Sequence, residues 1–169
     1  MKINIKAFIL FSVAIIISFI SCSKRDEPEI ISITGEWTTV ERRVNTGDDF
    51  LDKSINNLFI LDDKDYIVTR TFTQTEYNVG SLETVATNRN TGNEDRKRDA
   101  TYKINGDSLY IDDKKFEQTT SSLILNEKLM ITYMKVGKKE LDHIVEEIGG
   151  DANLIPNNIT GILKMKETR

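Results

Sequence analysis

The sequence predicts an all-β fold, an antiparallel meander barrel of about eight to ten short strands with one helix in the C-terminal half, before the last strand. Thr, Val, Ile, Tyr and Phe recur from Gly35 onward in short runs, and this composition is typical of strands. Turn residues separate the runs at short intervals. A single stretch around Leu141 has helical periodicity instead.

The N-terminal segment, residues 1–21, has the composition of a secretory signal peptide. Residues 1–6 carry two lysines and no acid, and residues 7–20 are apolar apart from two serines. As a helix, this apolar run would extend about 21 Å, which is shorter than the roughly 30 Å hydrocarbon core of a bilayer. The sequence therefore predicts a cleaved signal peptide and not a permanent membrane anchor.

Cys22 is the only cysteine of the chain and directly follows this apolar run. The preceding residues, Phe19, Ile20 and Ser21, resemble a bacterial lipobox, although the first position is usually Leu. The resemblance implies cleavage before Cys22, covalent diacylglycerol and N-acyl lipid on that residue, and attachment to a membrane of the bacterial cell envelope. Several acyl chains hold a protein durably at a bilayer, whereas one holds it only marginally. An incidental cysteine at the end of a signal peptide is the alternative.

The segment after the cleavage site, residues 22–34, is a predicted tether that carries the lipidated cysteine. Its beginning is charged, contains Pro28 and lacks apolar periodicity. A Lys-Arg pair followed by Asp26 and Glu27 resembles the signal that exports lipoproteins of the Bacteroidetes type to the outer face of the outer membrane. A plain solvated spacer explains the same composition equally well. The implied location is the outer membrane, with surface exposure left open.

The remaining chain, residues 35–169, is predicted to form one barrel domain. The predicted strands are 36–44, 57–61, 66–77, 82–87, 98–104, 108–111, 115–119, 122–126, 129–136 and 160–166. The strongest turn signal is Asn105-Gly106-Asp107, because Asn and Gly accept the positive φ angles of a tight hairpin. Further reversals are predicted at residues 62–65, 90–93 and 112–114. Because short turns join nearly all of these strands, a barrel is favoured over a Greek-key sandwich.

One segment between the last two strands is predicted to be helical. Leu141, Ile144, Val145 and Ile148 recur at i, i+3, i+4 and i+7, which places them on one face of a helix. Two consecutive glycines end this pattern. We expect the helix to pack against the sheet or to close one end of it.

Two local motifs resemble those of lipocalin-like domains. Gly35-Glu36-Trp37 opens the first predicted strand as Gly-x-Trp opens the first strand of lipocalins. Residues 100–111 contain a Tyr-x-Ile-Asn-Gly-Asp-x-Leu hairpin, and a strand ending in Leu125 follows it. Together these features resemble the small lipocalin-like (calycin) domains of Bacteroidetes lipoproteins over roughly residues 33–136. The polar stretch 73–98 and the helix depart from the shortest members, so the strand count stays open.

The resemblance also implies a structural role for the residues of the barrel floor. In such domains the tryptophan of Gly-x-Trp, here Trp37 after Gly35, caps the floor beneath a basic side chain of the last strand. Lys164 or Lys166 would supply that side chain here. The contact would place a cation over an aromatic face. Ligand stacking is the alternative role for Trp37.

Residues with catalytic or metal-binding chemistry are sparse in this sequence. His143 is the only histidine, which excludes two-histidine zinc motifs, and we expect it to contact Glu146 and Glu147 at the surface. No Gly-x-Ser-x-Gly motif is present. The acidic groups at 48–49, 62–65 and 112–113 are predicted to form turns. The sequence therefore predicts a protein without catalytic residues, metal site or cofactor other than the lipid, and a carboxylate-based hydrolase is the least favoured alternative.

The charge pattern argues against nucleic acid as a partner. Arg96, Lys97 and Arg98 stand beside Glu94 and Asp95, and these mixed signs predict a solvated start of a strand. The formal net charge of the chain is −4, whereas nucleic-acid-binding domains are usually basic.

The sequence-based hypothesis is therefore a lipid-anchored envelope lipoprotein whose barrel binds a small apolar or amphipathic ligand without catalysis. The alternative is a surface module for protein–protein interaction, adhesion or assembly that has a filled barrel. Barrels of about eight strands are either filled by side chains or hold one small ligand. The ligand-binding residues stay unknown at this point, because the sequence does not fix which alternating set faces inward. The expected partners are the membrane and either a small apolar ligand or an envelope protein.

Overall fold

The computed structural model describes residues 32–113 and 117–169, which form a closed antiparallel barrel with two helices. The described strands are β1 (Gly35–Asn45), β2 (Tyr66–Glu76), β3 (Val79–Asn88), β4 (Glu94–Asn105), β5 (Ser108–Asp113), β6 (Glu117–Leu125), β7 (Leu129–Gly137) and β8 (Thr160–Thr168). Each strand pairs with the next, and β8 pairs with β1 to close the barrel. The predicted all-β meander barrel is confirmed.

The two helices connect strands at the same end of the barrel. Helix α1 (Asp49–Asp65) joins β1 to β2, and helix α2 (Lys138–Glu147) follows β7. A short 3-10 turn, Ala152–Leu154, comes between α2 and β8. Among the described residues, neither helix is long and apolar enough to cross a membrane. The predicted signal peptide, Cys22 and the tether up to residue 31 lie outside the described residues.

Helix α1 corrects two sequence-based predictions, the strand at 57–61 and the reversal at 62–65. The carboxylate of Asp48 accepts hydrogen bonds from the backbone N–H groups of Phe50 and Leu51, both at 3.0 Å. These bonds satisfy donors that have no partner within the helix at its first turn. The helix continues through the acidic run and ends at Asp65.

The buried face of α1 explains why this segment is helical. Leu51, Ile55 and Phe59 recur at four-residue spacing, and all three are buried. This spacing keeps them on one side of a helix, whereas a strand would turn alternate residues outward. The apolar composition of the segment suggested a strand, but its period is helical.

Helix α2 lies where the sequence predicts a helix. Leu141 and Val145 are its buried residues. The side chain of Glu140 accepts a hydrogen bond at 2.8 Å from the backbone N–H of Gly137, just before the helix. Gly149 has a φ of 79°, a conformation that glycine adopts at little cost and that commonly ends a helix.

Strand boundaries differ from the prediction mainly at β4 and β6. The strands predicted at 115–119 and 122–126 belong to one strand, β6, which pairs with both β5 and β7. β4 begins at Glu94, four residues before the predicted start at Arg98. The predicted turn at 105–107 joins β4 to β5, and Gly106 has a φ of 60° there.

Two apolar clusters pack at opposite ends of the barrel. The floor cluster comprises Ile33, Trp37, Phe72, Leu82, Tyr102, Leu109 and Met130. The helix cluster comprises Val44, Leu51, Ile55, Phe59, Met134, Val136, Leu141, Val145, Ile155 and Leu163. Trp37 and Val44 stand near the two ends of β1, so the two clusters occupy the two ends of the interior and border the space between them.

Candidate functional site

The middle of the barrel contains a cavity of about 650 Å³. All eight described strands and both helical segments contribute residues to its lining. Its apolar wall consists of Phe59, Val68, Leu82, Ala86, Ala100, Ile111, Met134, Ile144, Ile148, Leu163 and Met165. Small-molecule sites in proteins typically measure about 300–1,000 Å³ and have mostly apolar linings. The cavity therefore has the size and the wall of a small-molecule site.

Four arginines also line the cavity, Arg42 from β1, Arg70 from β2, and Arg96 and Arg98 from β4. Alternation along a strand explains why the arginines of β4 point inward. Arg96 and Arg98 lie on the same face as Tyr102, which is buried in the floor cluster. The sequence-based expectation that these two arginines lie at a solvated strand start was wrong.

The carboxylate of Asp62 connects two of these arginines. Its Oδ2 accepts a hydrogen bond from Arg42 at 2.7 Å, and its Oδ1 accepts one from Arg96 at 2.7 Å. Arg42 also bonds to the neighbouring carboxylate of Asp63. Because Asp62 belongs to the last turn of α1, the end of this helix is linked to β1 and β4. Asp62 is thus a buried ion-pair residue, and its predicted role in a turn was wrong.

The planar faces of these two guanidinium groups pack on aromatic rings. The Arg42 guanidinium lies 4.9 Å from the centre of the Phe59 ring, and that of Arg96 lies 4.4 Å from the centre of the Tyr66 ring. Contacts of this kind favour a guanidinium over a compact ammonium group. The ring contacts orient the side chains of Arg42 and Arg96, and the hydrogen bonds to Asp62 fix the positions of their terminal nitrogens.

A second group of ion pairs links β4 to β5 and to the end of α2. Arg98 pairs with Asp113 at 2.9 Å and with Glu147 at 3.0 Å. The backbone carbonyl of Glu147 accepts a hydrogen bond at 2.9 Å from Arg96. Asp113, predicted to form a turn, instead lies buried at the end of β5.

The ion pair between Arg70 and Glu167 is more deeply buried than the other pairs described around the cavity. Arg70 bonds to Glu167 at 2.9 Å, and the side chain of Glu167 has no exposed surface. Thr39 donates a hydrogen bond to the other carboxylate oxygen at 3.4 Å. Burial raises the pKa of Glu167, because desolvation disfavours its charged form, and the interaction with Arg70 opposes this shift.

We call these residues the charged belt: Arg42, Arg70, Arg96, Arg98, Asp62, Asp113, Glu147 and Glu167. Within the part of the chain that the structure describes, three buried side-chain polar atoms have no hydrogen-bond partner, and two of them belong to the belt: Nε of Arg42, Nε of Arg96 and Oγ1 of Thr132. Buried polar atoms are usually paired, so these atoms are exceptions, and because they have almost no accessible surface they are enclosed by protein atoms and not presented to the cavity.

Two of the predicted floor residues, Gly35 and Trp37, lie next to Arg169 and not next to a lysine of β8. Trp37 is fully buried, and its indole N–H donates a hydrogen bond at 2.7 Å to the carbonyl of Ile33. The cation over its ring is Arg169, at 4.4 Å from the ring centre. A Cβ atom on Gly35 would lie 3.7 Å from the Arg169 guanidinium, so this glycine borders the same contact.

The two lysines that were predicted for this contact lie elsewhere. Lys164 forms an ion pair with Glu41 at 3.0 Å, and Lys166 is the cross-strand partner of the same residue. Both lysines alternate along β8 with Leu163 and Glu167, which are buried. They therefore point to the outside of the barrel, and a residue beyond the end of β8 supplies the cation over Trp37.

The other candidate residues from the sequence do not converge on a reactive centre. His143 is half-buried on α2, and Glu147, one of its expected partners, bonds to Arg98. Asp48 caps α1. Within residues 32–113 and 117–169, no group of three or more His, Cys, Asp and Glu side chains is arranged to hold a metal ion.

Among the comparisons with known proteins, the comparison with solved structures found similar chains. No family model matches the chain, and no curated protein matches its sequence. The chain is similar to a solved structure described as a "REP1-NXSQ fatty acid transporter", with a TM-score of 0.38 and 16% identity over 80% of this chain and 94% of that chain. It is also similar to a point mutant of that transporter, with a TM-score of 0.34 and 15% identity over 78% and 95% of the two chains.

Proposed function

We propose that this protein is a lipid-anchored lipoprotein of the bacterial cell envelope that binds one small amphipathic molecule inside its barrel. The observation that supports this proposal is the cavity of about 650 Å³, which has an apolar wall and a charged belt. An apolar wall with a few polar groups at fixed positions is the usual composition of a small-molecule site. A filled barrel that acts through its outer surface does not account for a cavity of this size.

A binding role, as opposed to a catalytic one, is consistent with the state of the carboxylates around the cavity. A glycoside hydrolase needs two carboxyl groups about 5–10 Å apart, one of them able to donate a proton to the leaving group. Here Asp62, Asp113 and Glu147 each accept contacts from an arginine at 2.7–3.0 Å. Each of these carboxylates is thus bound by a guanidinium of the protein itself, which is the arrangement of a structural ion pair.

The ligand-binding part of the proposal is tested by reducing the volume of the cavity. Ala100 lines it, whereas Thr101, the next residue of β4, is exposed on the outside. Ala100→Trp places an indole in part of the cavity and should weaken binding of a neutral dye such as N-phenyl-1-naphthylamine, whereas Thr101→Trp should bind it as the wild type does. Equal dye binding by both variants would place the binding site outside the barrel. Native mass spectrometry of the protein purified gently from its host envelope should show a bound mass that denaturation removes.

The lipid anchor is tested by cell fractionation. Cys22→Ser removes the thiol that would carry diacylglycerol, so the protein should move from the membrane fraction to soluble or precursor forms. Ser23→Ala serves as the matched control and should leave fractionation unchanged. Membrane association of Cys22→Ser equal to that of the wild type would contradict the anchor.

A further inference from the structure

We infer that the ligand carries an uncharged polar head group with oxygen acceptors, such as an alcohol or an ester, and that the cavity discriminates against carboxylates. This inference rests on the proposed function and names the ligand class for the same cavity. It follows from the way in which the arginines of the charged belt are already paired.

Each of the four arginines at the cavity has a carboxylate partner within the protein. Arg42 and Arg96 share Asp62 at 2.7 Å, Arg70 meets Glu167 at 2.9 Å, and Arg98 meets Asp113 and Glu147 at 2.9 and 3.0 Å. Arg42 has Asp63 as an additional acidic partner. The four guanidinium groups thus face five carboxylates, and their positive charge is not available to attract an anion.

A carboxylate ligand would have to displace one of these internal carboxylates. The displaced group would then stay in a poorly hydrated site without its cation, which is strongly unfavourable. Asp62 and Glu167 are the extreme cases, because both are buried and each is held by an arginine. Binding of an anion therefore costs free energy, because it separates a carboxylate of the charged belt from its arginine.

A neutral oxygen, in contrast, meets donors that the carboxylates leave unused. A guanidinium has five N–H donors, and Arg70 meets Glu167 through one of its nitrogens, so a paired arginine keeps further N–H groups. Thr39, Thr84 and Thr119 also line the cavity, but Thr39 and Thr119 already donate their hydroxyl hydrogens to Glu167 and to the carbonyl of Ile111. An alcohol, ether or ester oxygen can accept a hydrogen bond from Thr84 or from a remaining guanidinium N–H without breaking an ion pair, while the alkyl part contacts the apolar wall.

The test compares ligands that share one alkyl chain and differ in the head group. Dodecan-1-ol, methyl dodecanoate and dodecanoate displace N-phenyl-1-naphthylamine from the full-length protein, held in amphipol and corrected for an amphipol blank. The assay is run at pH 8 so that dodecanoate is ionised. We expect the alcohol and the ester to displace the dye at concentrations at least tenfold lower than dodecanoate. Equal or tighter binding of dodecanoate would overturn the inference while leaving the proposed function intact.

Variants separate the effect of the belt from the greater water solubility of an anion. Asp62→Asn removes the carboxylate shared by Arg42 and Arg96 and should raise the affinity for dodecanoate, relative to dodecan-1-ol, at least tenfold. Glu147→Gln, at a more exposed pair, should raise the same ratio at least threefold and serves if Asp62→Asn does not fold. Glu41→Gln removes a carboxylate paired with Lys164 on the outside of the barrel and is the matched control.

The remaining outcomes also decide between the two proposals. An affinity ratio that stays at the wild-type value in both belt variants would overturn the inference. A dye that does not bind to the wild-type protein at all would overturn the proposed function as well. A ratio that rises in Glu41→Gln as much as in the belt variants would attribute the selectivity to net charge, which contradicts the inference.

Discussion

Three interactions of its indole ring hold the side chain of Trp37 in place. Its apolar surface is fully buried in the floor cluster, its indole N–H bonds to the carbonyl of Ile33, and Arg169 lies over its face. An indole has only one N–H, so this single bond satisfies its polar requirement. Burial, hydrogen bonding and the cation contact all act in the same direction, and none of them requires a ligand.

The first prediction concerns the stability contributed by this residue. Trp37→Ala should lower the free energy of unfolding by about 3–5 kcal/mol, because it leaves a cavity in the floor cluster. Urea denaturation followed by circular dichroism measures the loss. Tyr77→Ala, at a residue that is 71% exposed, is the control and should change stability by less than about 0.5 kcal/mol. A loss below about 1 kcal/mol for Trp37→Ala would contradict its structural role.

The second prediction concerns the pH dependence introduced by Glu167. Burial raises the pKa of this residue in the folded protein above its usual value of 4.5. Between the unfolded and the folded pKa, the folded state binds the additional proton, so stability falls as the pH rises through this window. The unfolding free energy of the wild type, relative to that of Glu167→Gln, should therefore decrease as the pH rises from about 4.5 and then become constant.

Denaturant titrations of both proteins across this pH range measure the difference. Comparison with Glu167→Gln cancels the titration of the other carboxyl groups, which both proteins share. The substitution also changes the free energy of unfolding by a constant amount, because Arg70 loses its charged partner, and this constant does not alter the slope with pH. A difference that increases with pH would show that Arg70 lowers the pKa of Glu167 more than burial raises it.

At the residue scale, the sequence predicted the burial of Trp37 in the floor cluster, but it did not predict the inward position of the arginines of the charged belt. Trp37 belongs to a local motif, and its burial follows from its size. The inward position of Arg96 and Arg98 depends on strand register, which shifts every side chain to the other face when it moves by one residue. Their acidic neighbours in the sequence suggested solvent exposure, but their true partners, Asp62 and Glu147, come from distant helices.

At the scale of the elements, helix α1 is the largest difference between the sequence-based prediction and the structure. Its apolar residues and the acidic run at its end favoured a strand and a turn in the sequence analysis. The information for a helix was nevertheless present, in the capping residue Asp48 and in the four-residue spacing of Leu51, Ile55 and Phe59. Strands were predicted more reliably, because hairpin turns with Asn and Gly mark their ends locally.

The third prediction tests the start of α1. Asp48→Ala removes the carboxylate that accepts hydrogen bonds from Phe50 and Leu51, and should cost about 1 kcal/mol of stability. Asp48→Asn keeps an acceptor oxygen and should lose much less. Lys53→Ala, at an exposed position of the same helix, is the control for effects of helix propensity. Thermal and urea unfolding both report the change, and equal stability of the alanine and asparagine variants would contradict the capping role.

At the scale of the whole molecule, the charged belt joins elements that are far apart in the sequence. Asp62 at the end of α1 and Glu147 at the end of α2 both reach arginines of β4. The two helices are thereby tied to the strand that faces them across the cavity. A ligand in this space would contact strands and helices together, so its binding energy would stabilise the barrel as one unit.

The last prediction follows from this coupling. A ligand that binds only the folded barrel should stabilise it by about 2.7 kcal/mol at a free concentration of 100 times its Kd. For a protein of this size, each kcal/mol raises the midpoint of thermal unfolding by roughly 3 °C, so saturating dodecan-1-ol should raise it by about 8 °C. Ala100→Trp, in which an indole occupies part of the cavity, should show a clearly smaller shift, whereas Thr101→Trp should respond as the wild type does. A similar shift in Ala100→Trp would mean that the alcohol stabilises the protein through its outer surface, and the cavity would then have no part in binding.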